Sequence, residues 1–271
     1  MEAHRLYIDS RDRSSGTATD FEYQLANSIV IEKECTATLD CVLIPNSWYT
    51  ITKDRDDGIY IREESAGFGY FRVAILRPGY YDANSLATEI ARALTQDSVL
   101  ASPYTCVYSA TLGRYQISNT WSGPEDNLYI WSEAGINVKN WGVSRSQLHG
   151  AFRQIGMVEG PVQLGGEYGT TPLVMNGTPN LQAHSELYIK GSLGSPGLVQ
   201  GRRGAQDILR RCPITTRSGG LNLTEYTSHY DSIRVPPGTI TTLKFKLEGD
   251  DGPVDLNGLD ISFSVVIQGR K

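Results

Sequence analysis

The side chains able to do chemistry in this 271-residue chain are few and scattered. Its four histidines are His4, His149, His184 and His229, and none stands four residues from another or beside a glutamate at a metal-binding spacing. A histidine acts as ligand or acid/base only when neighbours hold its ring. Surface or hydrogen-bonded histidines are therefore expected. Glu159 and Glu167 are carboxylates of the kind a glycosidase pairs, but nothing around them sets one as acid and the other as base. There is no G-x-S-x-G elbow, Walker loop or G-x-G-x-x-G between a strand and a helix. The glycines of GGEYG (165–169) lack the lysine that a phosphate cradle uses. Two acidic loops, DRDDG (54–58) and GDDGPVDLNGLD (249–260), do not follow the EF-hand ligand order and read as Asp/Gly turns. No catalytic residue, cofactor site or metal site is expected, and the class is non-enzymatic.

Cys35, Cys41, Cys106 and Cys212 are too scattered for a disulfide framework. On a straight strand, Cys35 and Cys41 share a face but lie about 20 Å apart, beyond disulfide reach. All four are expected as buried thiols. The formal charge is −5, which argues against a protein that wraps nucleic acid. The one basic cluster, GRRGAQDILRRC, holds Arg202, Arg203, Arg210 and Arg211. It reads as a solvated or subunit-facing loop, and nucleic-acid contact is not expected. Arg11, Asp12 and Arg13 are the other candidate subunit-contact residues. Trp121, Trp131 and Trp141 read as core or interface anchors.

The elements that must position these residues are mostly strands. From residue 29 to 43 one parity reads Ile29, Ile31, Lys33, Cys35, Ala37, Leu39, Cys41, Leu43, a period-two pattern that predicts one long strand. Near the C-terminus Leu243, Phe245 and Leu247 form one apolar stripe, and Ile261, Phe263, Val265 and Ile267 another. Their short connection predicts antiparallel neighbours. Shorter strands are expected at 58–63, 70–76, 104–109, 114–119, 127–131 and 186–190. Leu86, Ile90 and Leu94 recur every four residues after Asp82, Asn84 and Ser85, which offer N-cap oxygens. That spacing predicts a short amphipathic helix on a sheet. Residues 6–20 are polar and small and suit an extended arm. The chain is 39% hydrophobic with 28 glycines, enough to build a core. No apolar run approaches the roughly 20 residues that span a bilayer. The opening residues lack a secretory apolar stretch, so the triplets at Asn176 and Asn222 are expected to be unglycosylated. Many strands, one helix and Gly/Pro turns predict an all-β sandwich or barrel.

Four segments together carry a resemblance: LYIDSRDR (6–13) followed by TDF (19–21), LIPNSWYTI (43–51), RPGYY (77–81), and VDLNGLDISFSVVI (254–267). In this order they resemble the minor capsid, or penton, proteins of the double-jelly-roll DNA virus lineage, which includes virophages, polinton-like elements and large eukaryotic DNA viruses. The chain departs at Tyr80, where those proteins more often carry Asn, and matches their mid-chain apolar-Gly-aromatic patch loosely at QIGM (154–157). The resemblance implies a single jelly-roll β-sandwich with long loops and an inserted small α+β region holding the helix. Residues 1–20 would be an N-terminal arm that lies across a neighbour, dispensable for folding. Residues 21–55 and 181–271 would supply the jelly-roll strands, and 56–180 insertions and an outward-facing lobe. It further implies a homopentamer at the icosahedral five-fold vertices of a virion, assembled in the host cytoplasm or nucleus. The partners would be other copies of the chain, the major capsid protein, and a fibre or host receptor on the lobe. Three alternatives stand beside it: a minor capsid protein at another shell position, a small single-jelly-roll major subunit, and a carbohydrate- or receptor-binding β-sandwich suited to the 15 tyrosines.

Overall fold

The computed structural model describes residues 3–65, 67–99, 103–119, 127–136, 147–157, 172–193, 207–225, 232–249 and 252–269. The first half of the chain forms β1 (His4–Asp9), β2 (Ser15–Gly16), β3 (Asp20–Ile31), β4 (Cys35–Pro45), β5 (Gly58–Ser65), β6 (Phe68–Ile75), helix α1 (Ala83–Asp97), β7 (Tyr104–Ser109), β8 (Arg114–Asn119) and β9 (Asn127–Ile130). The second half forms β10 (Leu173–Val174), β11 (Glu186–Gly191), β12 (Ile208–Pro213), β13 (Leu221–Glu225), β14 (Ile233–Val235), β15 (Gly238–Gly249), β16 (Gly252–Pro253) and β17 (Ser262–Gly269). The chain divides into two compact units. Met1–Trp48 with His184–Lys271 form the first, and Tyr49–Ala183 the second.

The first unit is a jelly roll. One sheet has the order β1-β17-β4-β13, with β14 also on β4; the other has the order β12-β11-β15-β3-β2, with β16 on β15. Counting only the eight long strands of this unit, the sheets read first-eighth-third-sixth and fifth-fourth-seventh-second. This is the double Greek key of a jelly roll. Phe245 of β15 joins the sheets, meeting Phe263 of β17 edge-on at 4.8 Å between ring centroids and Phe21 of β3 at 5.6 Å. Ile8, Leu39, Val265 and Leu247 fill the space around them and are buried. Each such side chain contributes about 1.5–3 kcal/mol by leaving water.

Four expectations change. Residues 4–9 are not an arm: β1 pairs antiparallel with β17 from His4 opposite Ile267 to Asp9 opposite Ser262, and Ile8 lies in the core. The apolar positions Leu6 and Ile8 are spaced for a strand, but two of them are too few to stand out among charges. Residues 29–43 are not one strand. β3 ends at Ile31 and β4 begins at Cys35 in the opposite sheet. The parity carries through because both sheets face the same core. It fails at Asp40 and Cys41, which together stand opposite Ser264, since Phe263 pairs with Val42 and Val265 with Leu39. This β-bulge turns Val42 and Ile44 inward and Cys41 and Leu43 outward. Finally, β15 and β17 are not neighbours in a sheet but face each other across the core.

The second unit has its own core. Sheets β6-β5-β9 and β10-β8-β7 contribute Ile59, Ile61, Ile130, Tyr115 and Ile117, and α1 contributes Leu86, Ile90 and Leu94. Asp82 caps the helix: its carboxylate accepts from Ser85 N at 2.8 Å, and its own N–H donates to Ser85 Oγ at 3.0 Å. Glu63 on β5 is fully buried and accepts from Ser98 Oγ, Val99 N and Tyr104 Oη at 2.7–2.8 Å. It thereby ties the end of α1 to the sheet. Glu89 accepts from Arg92 and from the Arg77 N–H at 2.6–2.9 Å.

Two tests follow from these contacts. Deleting residues 1–20 removes a sheet-forming strand and is expected to abolish cooperative thermal unfolding of the jelly roll. An unchanged melting transition would show β1 to be dispensable. Burial alone would raise the Glu89 carboxyl, but hydrogen bonds from Arg92 and Arg77, with the charge of both, hold it below its usual value. A lowered carboxylate contributes stability at neutral pH that is lost as pH falls through its folded value. Glu89→Gln is expected to weaken the fold at pH 7 and to flatten the loss of stability below about pH 4, as read by denaturant titration across pH.

Candidate subunit interface

Three of the four segments behind the resemblance meet within the jelly roll. After β1 the chain makes a 3-10 turn, Ser10–Asp12. Ser10 is fully buried there, donating to Asp260 Oδ1 at 2.6 Å while its Oγ accepts from Ile261 N at 3.1 Å. Arg13 donates to Ser10 O at 2.7 Å and lies 3.5 Å from Asp260. The first and fourth segments are thus clasped together. Asn46 of the second donates to Thr216 O at 2.8 Å, Ser47 donates to Leu256 O at 2.7 Å, and Asn257 Nδ2 donates to Ser47 O at 2.5 Å. Trp48 packs edge-on against His184 at 5.7 Å. A Cβ at Gly249 would collide with that imidazole. Within the second unit, Thr50 and Ile51 bond to Gly79 of RPGYY at 3.0–3.1 Å. These segments hold loops in place.

The basic candidates divide. Arg11 is exposed and bonds its own Asp9 at 2.6–2.9 Å, and Asp12 is exposed beside it. Arg13 is taken up by the clasp. Arg210 is 5% exposed and donates to Glu225 O at 2.7 Å, so it joins β12 to β13 and presents no surface charge. This corrects its place in a solvated cluster: on β12 it points between the sheets. Arg211, next along, is exposed and paired with Glu186. Arg202 and Arg203 lie outside the described residues, as do Trp121, Trp141, His229, Glu159, Glu167 and the glycines of 165–169.

The acidic loop 54–58 spends two of its three carboxylates internally. Asp56 accepts from Thr52 N and from Gln154 Nε2, and Asp57 lies 2.5 Å from His149 Nδ1 and accepts from Asp54 N at 3.1 Å. Among the described residues no three His, Cys, Asp or Glu side chains gather as metal ligands. Nor is any helix among them long and apolar enough to cross a membrane. All four cysteines are free, and burial pushes the Cys212 thiol up to about 11 and the Cys106 thiol to about 12. Asn222 is 1% exposed and accepts from Thr215 N, Thr216 N and Thr216 Oγ1 at 2.9–3.1 Å, so the folded protein does not offer it for glycosylation.

The outer faces of the two sheets differ. On the β12-β11-β15-β3 sheet, Glu22–Lys244, Lys190–Glu248 and Lys246–Glu248 form ion pairs at 2.6–2.7 Å, with Glu186–Arg211 alongside. Such exposed pairs add little stability, but they keep the face in water. The β1-β17-β4-β13 sheet carries an Arg5–Asp40 pair towards β1 and, at the opposite end, exposed leucines followed by Glu225 at the same outward parity. There Leu221 and Leu223, 52% and 48% exposed, lie beside Pro45 and Leu43 of β4. Sequence patterning missed this patch for a physical reason. The alternation of LNLTE would turn its leucines inward, yet the hydrogen-bonded Asn222 takes the core side.

No protein-family model matches the chain, and no curated protein matches it in sequence. Among solved structures it is similar to the crystal structure of the selenomethionine-labelled mavirus penton protein, with a TM-score of 0.54 and 9% sequence identity, over 99% of this chain and 100% of that one. The chain shares the fold of that penton protein. The likeness extends over both units.

The clasp can be tested by stability. Ser10→Ala and Asp260→Ala are each expected to cost about 1–3 kcal/mol by leaving a buried partner unsatisfied. The double variant should cost less than the sum of the two. Additive losses in chemical denaturation would show the two residues to be uncoupled.

Proposed function

We propose that the chain is a structural, non-enzymatic virion protein: the penton that forms a homopentamer at the five-fold vertices of an icosahedral capsid and contacts the major capsid protein. The observation that carries this reading is the jelly roll with its inserted second unit, which matches a penton protein along the whole length of both chains. The resemblance of the four segments to penton proteins of the double-jelly-roll lineage supports the same role. So does the contrast between a charged sheet face and a partly apolar one, since exposed apolar surface of this kind marks interaction sites. A ring of identical chains needs heterologous contacts that close. The second unit, inserted between β4 and β11, is the lobe on which a fibre or host receptor would act.

Native mass spectrometry of the purified chain over a concentration series tests the proposal. Five copies of 29.8 kDa give a species of about 150 kDa. A discrete trimer in its place would move the chain to another shell position or to a receptor-binding head.

A further inference from the structure

The chain contains two Asn-Gly pairs, Asn176–Gly177 and Asn257–Gly258. In such a pair the asparagine carboxamide is open to attack by the next backbone nitrogen, because glycine has no Cβ to hinder the approach. The fold treats the two pairs differently. Asn176 is half-buried, Gly177 is buried, and the Gly177 N–H donates to Gly156 O at 2.9 Å. That nitrogen has to lose its bond before it can react. Asn257 and Gly258 are both exposed, in the loop between β16 and β17. Their φ angles of 50° and 84°, with Leu259 N donating to Leu256 O at 3.1 Å, are those of a type I′ turn. A Cβ at Gly258 would meet nothing within 4 Å, and its N–H donates to none of the described residues. The Asn257 side chain is restrained by the bond from Nδ2 to Ser47 O at 2.5 Å, which is exposed to water. An exposed hydrogen bond of ordinary net strength is open on the order of a tenth of the time.

We infer that Asn257 is a site of spontaneous deamidation in the folded protein, and that the reaction releases the tie between the LIPNSWYTI and VDLNGLDISFSVVI segments. The Gly258 nitrogen attacks Asn257 Cγ. A bond from that nitrogen to Cγ forms, the Cγ–Nδ2 bond breaks, and the proton of the Gly258 N–H leaves with Nδ2 as ammonia. Water then opens the cyclic imide at either carbonyl, giving aspartate or isoaspartate. Nothing is oxidised or reduced, and water is the one co-reactant. Either product sets a carboxylate where an N–H had donated to Ser47 O, so the tie is lost and two oxygens are opposed. The new charge adds to those of Asp255 and Asp260, close by in the same loop. Isoaspartate also lengthens the backbone of a tight turn. Because ammonia departs, the change runs one way. The tie is thus a bond that the folded chain loses with age, independently of any ring it forms.

Peptide mapping by mass spectrometry tests the site. The full chain is aged at mildly alkaline pH, folded or unfolded in urea, and the conversion of amide to acid is followed at both asparagines. In the folded chain Asn257 is expected to convert about tenfold or more faster than Asn176, whose glycine nitrogen is bonded and buried. In urea the two rates should converge, which assigns the difference to the fold. A folded chain in which Asn257 reacts no faster than Asn176 overturns the inference. So does one in which Asn257 reacts only once unfolded, since the bond to Ser47 O would then be its protection. The consequence is read from thermal melts of the wild type before and after ageing and of Asn257→Asp, an exposed substitution that the turn accommodates. The aged protein and the variant are both expected to melt below the fresh wild type. An Asn257→Asp variant that melts with the fresh wild type overturns the loss of the tie.

Discussion

The sandwich depends on the seam between β1 and β17, because β17, at the C-terminal end, takes both of its neighbours from the N-terminal end of the chain. β1 closes one side of it and β4 the other. Without β1, β17 would become a sheet edge with open backbone groups, and Ile8 would leave the core. The clasp of Ser10 on Asp260 locks the seam where the strands end, across 250 residues of sequence. Contacts that distant are costly to bring together during folding. The sequence between the two includes the whole second unit, Tyr49–Ala183, accommodated between β4 and β11.

That second unit can be accommodated because it buries its own apolar surface. Its helix closes over Ile59 and Ile61, and the fully buried Glu63 uses three neutral donors to fix the segment that follows the helix. A buried carboxylate is tolerated only when its lone pairs are occupied, and these are. The insertion thus has the internal hydrogen bonding of a folded unit rather than of a long loop.

Electrostatics then divides the jelly-roll surface. Alternating lysines and glutamates on β11 and β15 pair with one another and stay hydrated. At the far end of the opposite sheet, leucines occupy outward positions because Asn222 holds the inward one. The same constraint that orders the β12–β13 connection exposes the apolar patch. Local hydrogen bonding in the core and the chemistry of the surface are set by a single residue.

Much of the fold was legible in local pattern. The strands at 104–109 and 114–119, the helix around Leu86, Ile90 and Leu94, and the inward sets Leu243–Phe245–Leu247 and Phe263–Val265–Ile267 all follow from apolar periodicity. β1 was not legible, because its one core residue, Ile8, and the half-buried Leu6 are set among charges. The leucines of β13 were not legible either, because their alternation points the wrong way. The candidate contact residues were chosen by charge, and charge does not reveal that Arg210 is buried on β12. By itself the sequence determined which stretches alternate and which turn, since those depend on neighbours within a few residues. Only the tertiary structure decided which sheet each strand joined, where the bulge at Asp40 and Cys41 reversed the faces, and which apolar side chains stayed outside. A period-two pattern is the same on either sheet, and the hydrogen bonds that choose between them come from residues up to 250 positions away.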